Sequence, residues 1–276
     1  MGVITALNSP KPPPGGPGRV ALEGAGPGDP DLLTVKAARL IGAADVVFYD
    51  RLVGPGVLAL IRSGARRVYV GKVKGAHAVP QGDIQDRLIA AARTGAFVVR
   101  LKGGDPSLFA RGGEELDALA AAGVPVDIVP GITAAQASAA AAGFSLTHRD
   151  CAQAVSFVTG HARTGAAPDL DWAALARPNH TLVVYMGVST AGEIAAALIA
   201  AGRAPDTPVA VVENASRADE RVLTTALNGL AELVGCAAID GPALLIIGEP
   251  AAKARSKAAA QIVTGASAPR LKEVAA

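Results

Sequence analysis

The stretch VVRLKGGDPSLFARGGEE, residues 98–115, decides how this chain is expected to fold. The β-branched run from Phe97 to Leu101 predicts a buried strand, which Gly103-Gly104 then interrupts. Residues without a Cβ atom let a ligand approach the backbone closely. Asp105-Pro106 pairs a favoured N-cap with a favoured first helical residue, so we predict that a helix begins there. Such a junction can bind a ligand at the edge of an open α/β sheet or serve as a purely structural turn.

Composition and charge narrow the class of protein. The chain has 276 residues, 50% of them apolar, which is enough for two domains of ordinary size. A net charge of +2 is too small to indicate a nucleic-acid partner. Cys151 and Cys236 have no Cys or His at metal-ligand spacing, so the sequence predicts no metal site. Since neither a secretory signal nor an apolar run of spanning length is seen, we expect a cytoplasmic protein without a membrane partner.

Strand and helix patterns alternate in two successive series. The first series indicates a mainly parallel sheet covered by helices, that is, an α/β fold. In the second, a strand at Val222 follows the strand ending at Glu213 after a loop too short for a crossover helix, so that sheet is expected to be mixed. The predicted domains are a disordered Pro-rich leader over 1–18, an N-terminal α/β domain over 19–145, a C-terminal α/β domain over 146–250 and a tail over 251–276.

A second glycine-rich turn, GAGPGDPDLLT over 24–34, resembles a dinucleotide fingerprint only in part. Asp29 stands where the last glycine belongs and Pro27 lacks a backbone donor, and both features disfavour a pyrophosphate. Turns that end in Asp29 and Asp105 suit a cofactor with cationic and hydroxyl groups, such as S-adenosylmethionine. Asp50, at the end of the second strand, could still be the ribose ligand of an NAD-dependent dehydrogenase, which stays an alternative. The number of glycine turns at one sheet edge disfavours a non-enzymatic module.

A series of short motifs resembles one family. GAGPGDPDLLT, YDRLV, VGK, RLKGGDP, RGGEE, VPGIT, LTHRD, VTGH, YMG and VEN occur in this order between about Val20 and Gly248. The ordered set resembles the tetrapyrrole methylases and, within them, the uroporphyrinogen-III C-methyltransferases. This resemblance implies two α/β domains facing an active-site cleft, a homodimer, and S-adenosylmethionine as methyl donor with S-adenosylhomocysteine as product. The implied reaction converts uroporphyrinogen III through precorrin-1 to precorrin-2, for cobalamin or sirohaem.

The resemblance also implies roles for individual residues. The proton acceptor and donor fall on Asp50 and Lys72. Cofactor contacts fall on Pro27, Gly103, Gly104, Asp105, Leu108, Thr133, Ala134, Met186 and Ala215. On propensity alone, Met186 could equally fill a core.

A tetrapyrrole bearing carboxylates requires cationic side chains in the cleft even though the whole chain is nearly neutral. The candidates lie within or beside the motifs, and they are Arg51, Lys74, Arg111 and Arg149. Each could instead be a surface residue in a weak ion pair. A related methyltransferase acting on a later corrin precursor is the main alternative function, because its cofactor site would look the same.

Overall fold

The computed structural model describes residues 18–71, 80–161 and 168–256. The predicted leader, except Gly18, and most of the predicted tail lie outside these ranges. Within them, no helix combines the length and the apolar character that crossing a membrane requires.

The first half of the described chain alternates strands with helices. The strands are β1 (Arg19–Gly24), β2 (Val46–Tyr49), β3 (Arg66–Tyr69), β4 (Phe97–Lys102) and β5 (Val126–Val129). The helices are α1 (Val35–Ala43), α2 (Pro55–Leu58), α3 (Gln81–Arg93), α4 (Gly112–Ala121) and α5 (Ala134–Ala142).

These five strands form one parallel sheet in the order β3-β2-β4-β1-β5. The central strands β1 and β4 are covered by helices on both faces, with Ile41 and Val99 on the side of α1 and Leu88 and Val98 on the side of α3. This double burial explains why their sequences are almost continuously apolar. The predicted parallel sheet is confirmed, and its strands all end at one edge.

The second half forms a mixed sheet. Its strands are β6 (Ala154–Thr159), β7 (His180–Tyr185), β8 (Pro208–Glu213), β9 (Arg221–Ala226) and β10 (Ala243–Ile247), and its helices are α6 (Trp172–Leu175), α7 (Ala191–Ala200) and α8 (Leu230–Cys236). The strand order is β6-β7-β10-β8-β9, with β6 parallel to β7 and the remaining pairs antiparallel. The predicted mixed sheet is therefore confirmed, including the direct β8 to β9 connection.

The alanine-rich helix α5 packs against the second sheet. Ala135 shares an apolar cluster with Val183 of β7 and Ile246 of β10. Ala251, which the sequence assigns to the tail, is buried in the same cluster. Small side chains let the helix approach the sheet closely, which explains why the α5 sequence is nearly all alanine. The domain limits at 145 and 250 stay predictions.

A carboxyl group is buried in the first sheet without a hydrogen-bond partner among the described residues. In the strand register, Glu23 of β1 lies opposite Leu101 of β4 and Val129 of β5, and its side chain is 0% exposed. Neither of its side-chain oxygens has a hydrogen-bond partner among the described residues. Burial raises the pKa of Glu23 well above its ordinary value, and Lys36 of α1 opposes this only in part.

Glu23→Met is therefore expected to be more stable than the parent chain at neutral pH, by about 1–3 kcal/mol. The Glu23 carboxyl group releases its proton near pH 4.3 in the unfolded chain but retains it to higher pH in the folded chain. The parent therefore loses stability as pH rises above about 4.3. Urea unfolding at pH 5 and pH 7.5 should show the advantage of the variant growing with pH. Glu232→Met, at an exposed position of α8, should show no such growth, and an equal advantage for Glu23→Met at both pH values would contradict the explanation.

Candidate functional site

Three glycine-bearing loops meet where β4, β1 and β5 end. Gly26 and Gly104 exchange backbone hydrogen bonds, with N···O distances of 3.2 and 2.7 Å. A Cβ on Gly24 would lie 2.6 Å from the Gly104 carbonyl oxygen, and one on Gly131 would overlap that same oxygen. These loops pack backbone against backbone, which only glycine permits.

The two glycines at the end of β4 have different surroundings. A Cβ on Gly103 would lie 2.6 Å from the Cβ of Leu52, so protein already fills the space beside this residue. Gly104 has a φ of +69°, and a Cβ on it would have the Ala134 nitrogen, 3.7 Å away, as its nearest neighbour. Of the pair, Gly104 is thus the residue whose backbone is open to a ligand.

Asp105 does not begin a helix, so that prediction is wrong. Its side chain accepts hydrogen bonds from the Ser107 N–H at 2.8 Å and from the Gly131 N–H at 2.9 Å. Burial alone would raise the pKa of Asp105, but these hydrogen bonds and that of the Ser107 hydroxyl lower it overall. Helix α4 begins only at Gly112, because Phe109 and Arg111 adopt left-handed backbone conformations with φ of 51° and 56°. Asp105 instead ties the loop after β4 to the loop after β5.

The three loops that carry Gly26, Gly104 and Gly131 form a loop cluster. An apolar wall lies beside it. Phe109 contacts Tyr185 of β7 with ring centroids 4.9 Å apart, and Phe157 of β6 contacts the same ring at 6.2 Å. The Tyr185 hydroxyl accepts a hydrogen bond from the Ala135 N–H at 3.2 Å, and burial raises the pKa of Tyr185. Met186 is 53% exposed with a φ of 55°, so it is not a core filler. Residues from both sheets therefore meet at this wall.

The other predicted cofactor residues lie around the same cluster. Thr133 caps α5 through its hydroxyl, and Ala134 is the first residue of that helix. Leu108 lies half-buried in the loop after β4. Pro27 lies in the loop after β1, and Ala215, which follows β8, is buried against Ala137 and Val212.

The glycine-rich turn after β1 is not arranged for a dinucleotide. The Gly26 N–H already donates to Gly104, and the Asp29 N–H donates to the Ser216 hydroxyl at 3.2 Å. Pro27 has no N–H to offer. A pyrophosphate requires such backbone donors, so this turn does not support the dehydrogenase alternative.

Asp50 is held by a buried charge network that the sequence did not predict. Its Oδ2 atom accepts from Arg100 Nη2 at 3.1 Å, and its Oδ1 atom accepts from the Leu52 N–H at 3.0 Å. Glu115 Oε1 in turn accepts from Arg100 Nε at 3.4 Å and from Lys102 Nζ at 2.9 Å. Burial is the main cause that lowers the pKa of Lys102, and Arg100 lowers it further.

One sequence signal could have indicated this network. Arg100 and Lys102 alternate within a strand that is otherwise apolar, and alternate residues point to the same face. Both are only 4% exposed. Because buried cations require partners, acidic residues could have been sought in the elements that follow this strand. Glu115, in the first turn of α4, is one of them.

The predicted cationic residues are distributed unevenly. Arg51 is exposed beside Asp50, whereas exposed Arg111 is paired with Glu114 at 2.6 Å. Arg149 precedes the start of β6, while Tyr185 and Met186 lie at the far end of that sheet. A six-residue strand spans about 20 Å, so Arg149 is not brought to the loop cluster. Lys72 and Lys74 lie outside the described residues.

Comparison with known proteins agrees with this architecture. A family model described as Tetrapyrrole (Corrin/Porphyrin) Methylases matches residues 19–231. A siroheme synthase of Gluconacetobacter diazotrophicus is 52% identical over 232 residues, which are 84% of this chain and 49% of that protein. The chain thus spans about half the length of the curated relatives it matches.

Two solved structures extend the comparison. Uroporphyrin-III C-methyl transferase from Thermus thermophilus, complexed with S-adenyl homocysteine, is 48% identical with a TM-score of 0.73, over 84% of this chain and 98% of that one. A cobalt precorrin-4 methyltransferase is 32% identical with a TM-score of 0.74, over 83% of this chain and 94% of that one. The fold and these likenesses define an α/β methylase built from two sheets. The chain belongs to the tetrapyrrole methylase family.

Proposed function

We propose that the chain transfers methyl groups from S-adenosylmethionine to two ring carbons of uroporphyrinogen III, giving precorrin-2 through precorrin-1. The observation that carries the proposal is the meeting, between the ends of the two sheets, of the open space at Gly104, the Asp105 anchor and the wall of Phe109, Tyr185 and Met186. It supports this reaction because the chain belongs to a family of tetrapyrrole methylases.

The loop cluster fits S-adenosylmethionine in its chemistry. The space beside Gly104, which has no Cβ, lets a ligand approach the N–H groups at the start of α5, and the apolar wall can contact the adenine. The Asp105 carboxylate in this cluster favours a cation over a phosphate. The proposed contacts are those predicted from the sequence, namely Pro27, Gly103, Gly104, Asp105, Leu108, Thr133, Ala134, Met186 and Ala215.

The chain's own residues would position the reactants and move a proton. S-adenosylmethionine, when bound, supplies a methyl group activated by a sulfonium. Holding the ring carbon in line with it can contribute effective molarities of about 10⁵ M or more. Asp50, oriented by Arg100 and by the Leu52 N–H, would accept the proton that the methylated ring must lose. Lys72 is proposed as the proton donor from the motif resemblance alone.

Among the predicted substrate contacts, the surroundings favour Arg51. It is exposed beside Asp50 and lines a cavity of about 540 Å³ together with Arg217 and Arg221, and with the acidic residues Glu213, Asp219 and Asp240. Lys74 and Arg111 remain proposed contacts for substrate carboxylates. Arg149 would require a substrate that reaches beyond the loop cluster, so its role is the least supported of the set.

A homodimer in the cytoplasm is also proposed, on the motif resemblance. Light scattering of the purified protein would measure the oligomeric state directly, and a monomer at micromolar concentration would contradict the proposal.

The decisive experiment is direct. The purified chain is incubated with S-adenosylmethionine and either uroporphyrinogen III or cobalt precorrin-4, and the product masses are recorded. A mass gain of two methyl groups on uroporphyrinogen III, with no change in the other substrate, supports the proposal. Methylation of cobalt precorrin-4 alone would instead establish the later-precursor alternative.

Gly104→Ala is expected to weaken binding of S-adenosylhomocysteine about ten-fold, because the added methyl group points into the proposed ligand space. The positive φ of Gly104 also strains any other residue, so a matched control is needed. Gly123→Ala provides it, since Gly123 has a φ of +68° against +69° for Gly104, and its added Cβ would meet nothing within 4 Å. Calorimetric titration of both variants separates strain from contact, and equal affinities would remove Gly104 from the site.

A further inference from the structure

The loop that joins β8 to β9 reaches across to the first sheet. Arg217 in this loop donates from Nη2 to the Leu52 carbonyl at 2.7 Å and from Nε to the Pro27 carbonyl at 3.4 Å. Its side chain lies over Gly28, where a Cβ would be 2.7 Å from Arg217 Cγ. One arginine of the second sheet therefore contacts the loops after β1 and β2 together.

The loop is arranged so that Arg217 projects in a fixed direction. Asn214 and Ser216 have φ values of 52° and 65°, which few residues adopt without support. Here the Ser216 N–H donates to Glu220 Oε2 at 2.7 Å, and the Arg217 N–H donates to the Asn214 carbonyl at 2.9 Å. The Asn214 side chain donates to Asp219 at 2.8 Å. These contacts stabilise the strained backbone, and strain retained in this way often marks a functional loop.

The electrostatic surroundings agree with a bound, partly desolvated guanidinium. Burial lowers the pKa of Arg217, nearby Asp219 opposes this, and Arg51 lowers it further. An arginine stays charged under these conditions, so its N–H groups remain donors to the two carbonyls.

The turn that Arg217 holds is the one that carries Asp50. The Leu52 N–H donates to Asp50 Oδ1 at 3.0 Å, while the Leu52 carbonyl accepts from Arg217. The Leu52 side chain also occupies the space that Gly103 leaves open. Displacing Leu52 would therefore move both the Asp50 carboxylate and the end of β4.

We infer that Arg217 is a positioning residue, which holds the Asp50–Leu52 turn in the orientation from which Asp50 accepts a proton. The inference rests on the proposed function for its chemical consequence. The restraint of the Asp50–Leu52 turn by Arg217, however, does not depend on which substrate is methylated.

The test uses Arg217→Met, which keeps the side-chain stem over Gly28 and removes the donors, and Arg217→Lys, which keeps a cation able to reach only one carbonyl. Arg67→Met is the matched control, because Arg67 also donates to a backbone carbonyl, that of Ile61 at 3.2 Å, but within one sheet. For each full-length variant the measurements are hydrogen exchange of the Leu52 amide, single-turnover methyl transfer at saturating substrates, and the melting temperature.

In Arg217→Met we expect the Leu52 amide to exchange about ten-fold faster and methyl transfer to be about ten-fold slower, since small displacements of a catalytic group have effects of this size or more. Arg217→Lys should recover part of both changes, and Arg67→Met should match the parent. Parental exchange at Leu52 in Arg217→Met would overturn the inference, as would a slower transfer that only follows a lowered melting temperature. If the parent chain methylates nothing, the proposed function fails, while the exchange at Leu52 still decides whether Arg217 restrains the turn.

Discussion

Asp50→Asn is expected to slow methyl transfer about 100-fold or more while leaving the affinity for S-adenosylhomocysteine nearly unchanged. Asparagine keeps the shape of the side chain and can still accept from the Leu52 N–H, but it cannot accept a proton. Single-turnover methylation at saturating substrates measures the first quantity, and equilibrium titration measures the second.

Asp45→Asn is the matched control, because Asp45 also pairs with an arginine, Arg62 at 2.6 Å, but lies just before β2 rather than just after it. Its turnover should stay within about two-fold of the parent. Weakened cofactor binding with normal turnover at saturation would make Asp50 a ribose ligand instead of the proton acceptor. Lys72 lies outside the described residues, and among the described ones Asp50 pairs with Arg100.

Glu115→Gln is expected to lower the free energy of unfolding by about 3 kcal/mol or more. Glu115 is 0% exposed, and its Oε1 atom accepts from Arg100, from Lys102 and from Gln81 Nε2 at 2.9 Å. Without this carboxylate Lys102 would stay buried without an ion-pair partner, and Arg100 would keep only Asp50. Urea unfolding of parent and variant measures the difference.

The pH dependence gives this prediction a second readout. Glu115 is the main group that opposes the lowered pKa of Lys102, so in the Gln variant that pKa should fall further. The unfolded chain then binds more protons than the folded chain between the folded pKa of Lys102 and about 10.4, and stability rises with pH in that interval. The difference in the free energy of unfolding between the parent and Glu115→Gln should therefore be smaller at pH 9 than at pH 6.

The double variant Glu115→Gln/Lys102→Met tests the cause. Removing one of the two buried cations should restore part of the lost stability, and it should abolish the difference between pH 6 and pH 9. A double variant as unstable as Glu115→Gln at both pH values would show that lost packing or the lost hydrogen bond to Gln81, rather than the uncompensated charge, causes the effect.

Hydrophobic patterning was sufficient to predict most of the strands. The runs Val46–Tyr49 and Val126–Val129 are strands, as β-branched residues bounded by turn formers predict. The alternation of strands and helices predicted that the first sheet is parallel, because parallel strands require a crossover connection and a helix usually provides it.

Predictions from neighbouring residues were wrong where a side chain bonds or packs against a residue that is distant in the sequence. Asp105-Pro106 has the composition of a helix start, yet the Asp105 carboxylate bonds Gly131, a residue 26 positions away, and the helix begins at Gly112. Likewise, Gly103-Gly104 was predicted to open the backbone to a ligand as a pair, whereas Leu52 fills the space at Gly103.

The sequence by itself determined the two-sheet α/β architecture, the family and the edge at which the glycine loops lie, because periodicity and short motifs are local properties of the chain. Only the tertiary structure decided which charges and loops are coupled. Arg100 meets Asp50 across 50 positions, and Arg217 meets Leu52 across 165 positions. No local periodicity encodes such pairings, since they depend on how the strands are ordered in each sheet and on how the two sheets face each other.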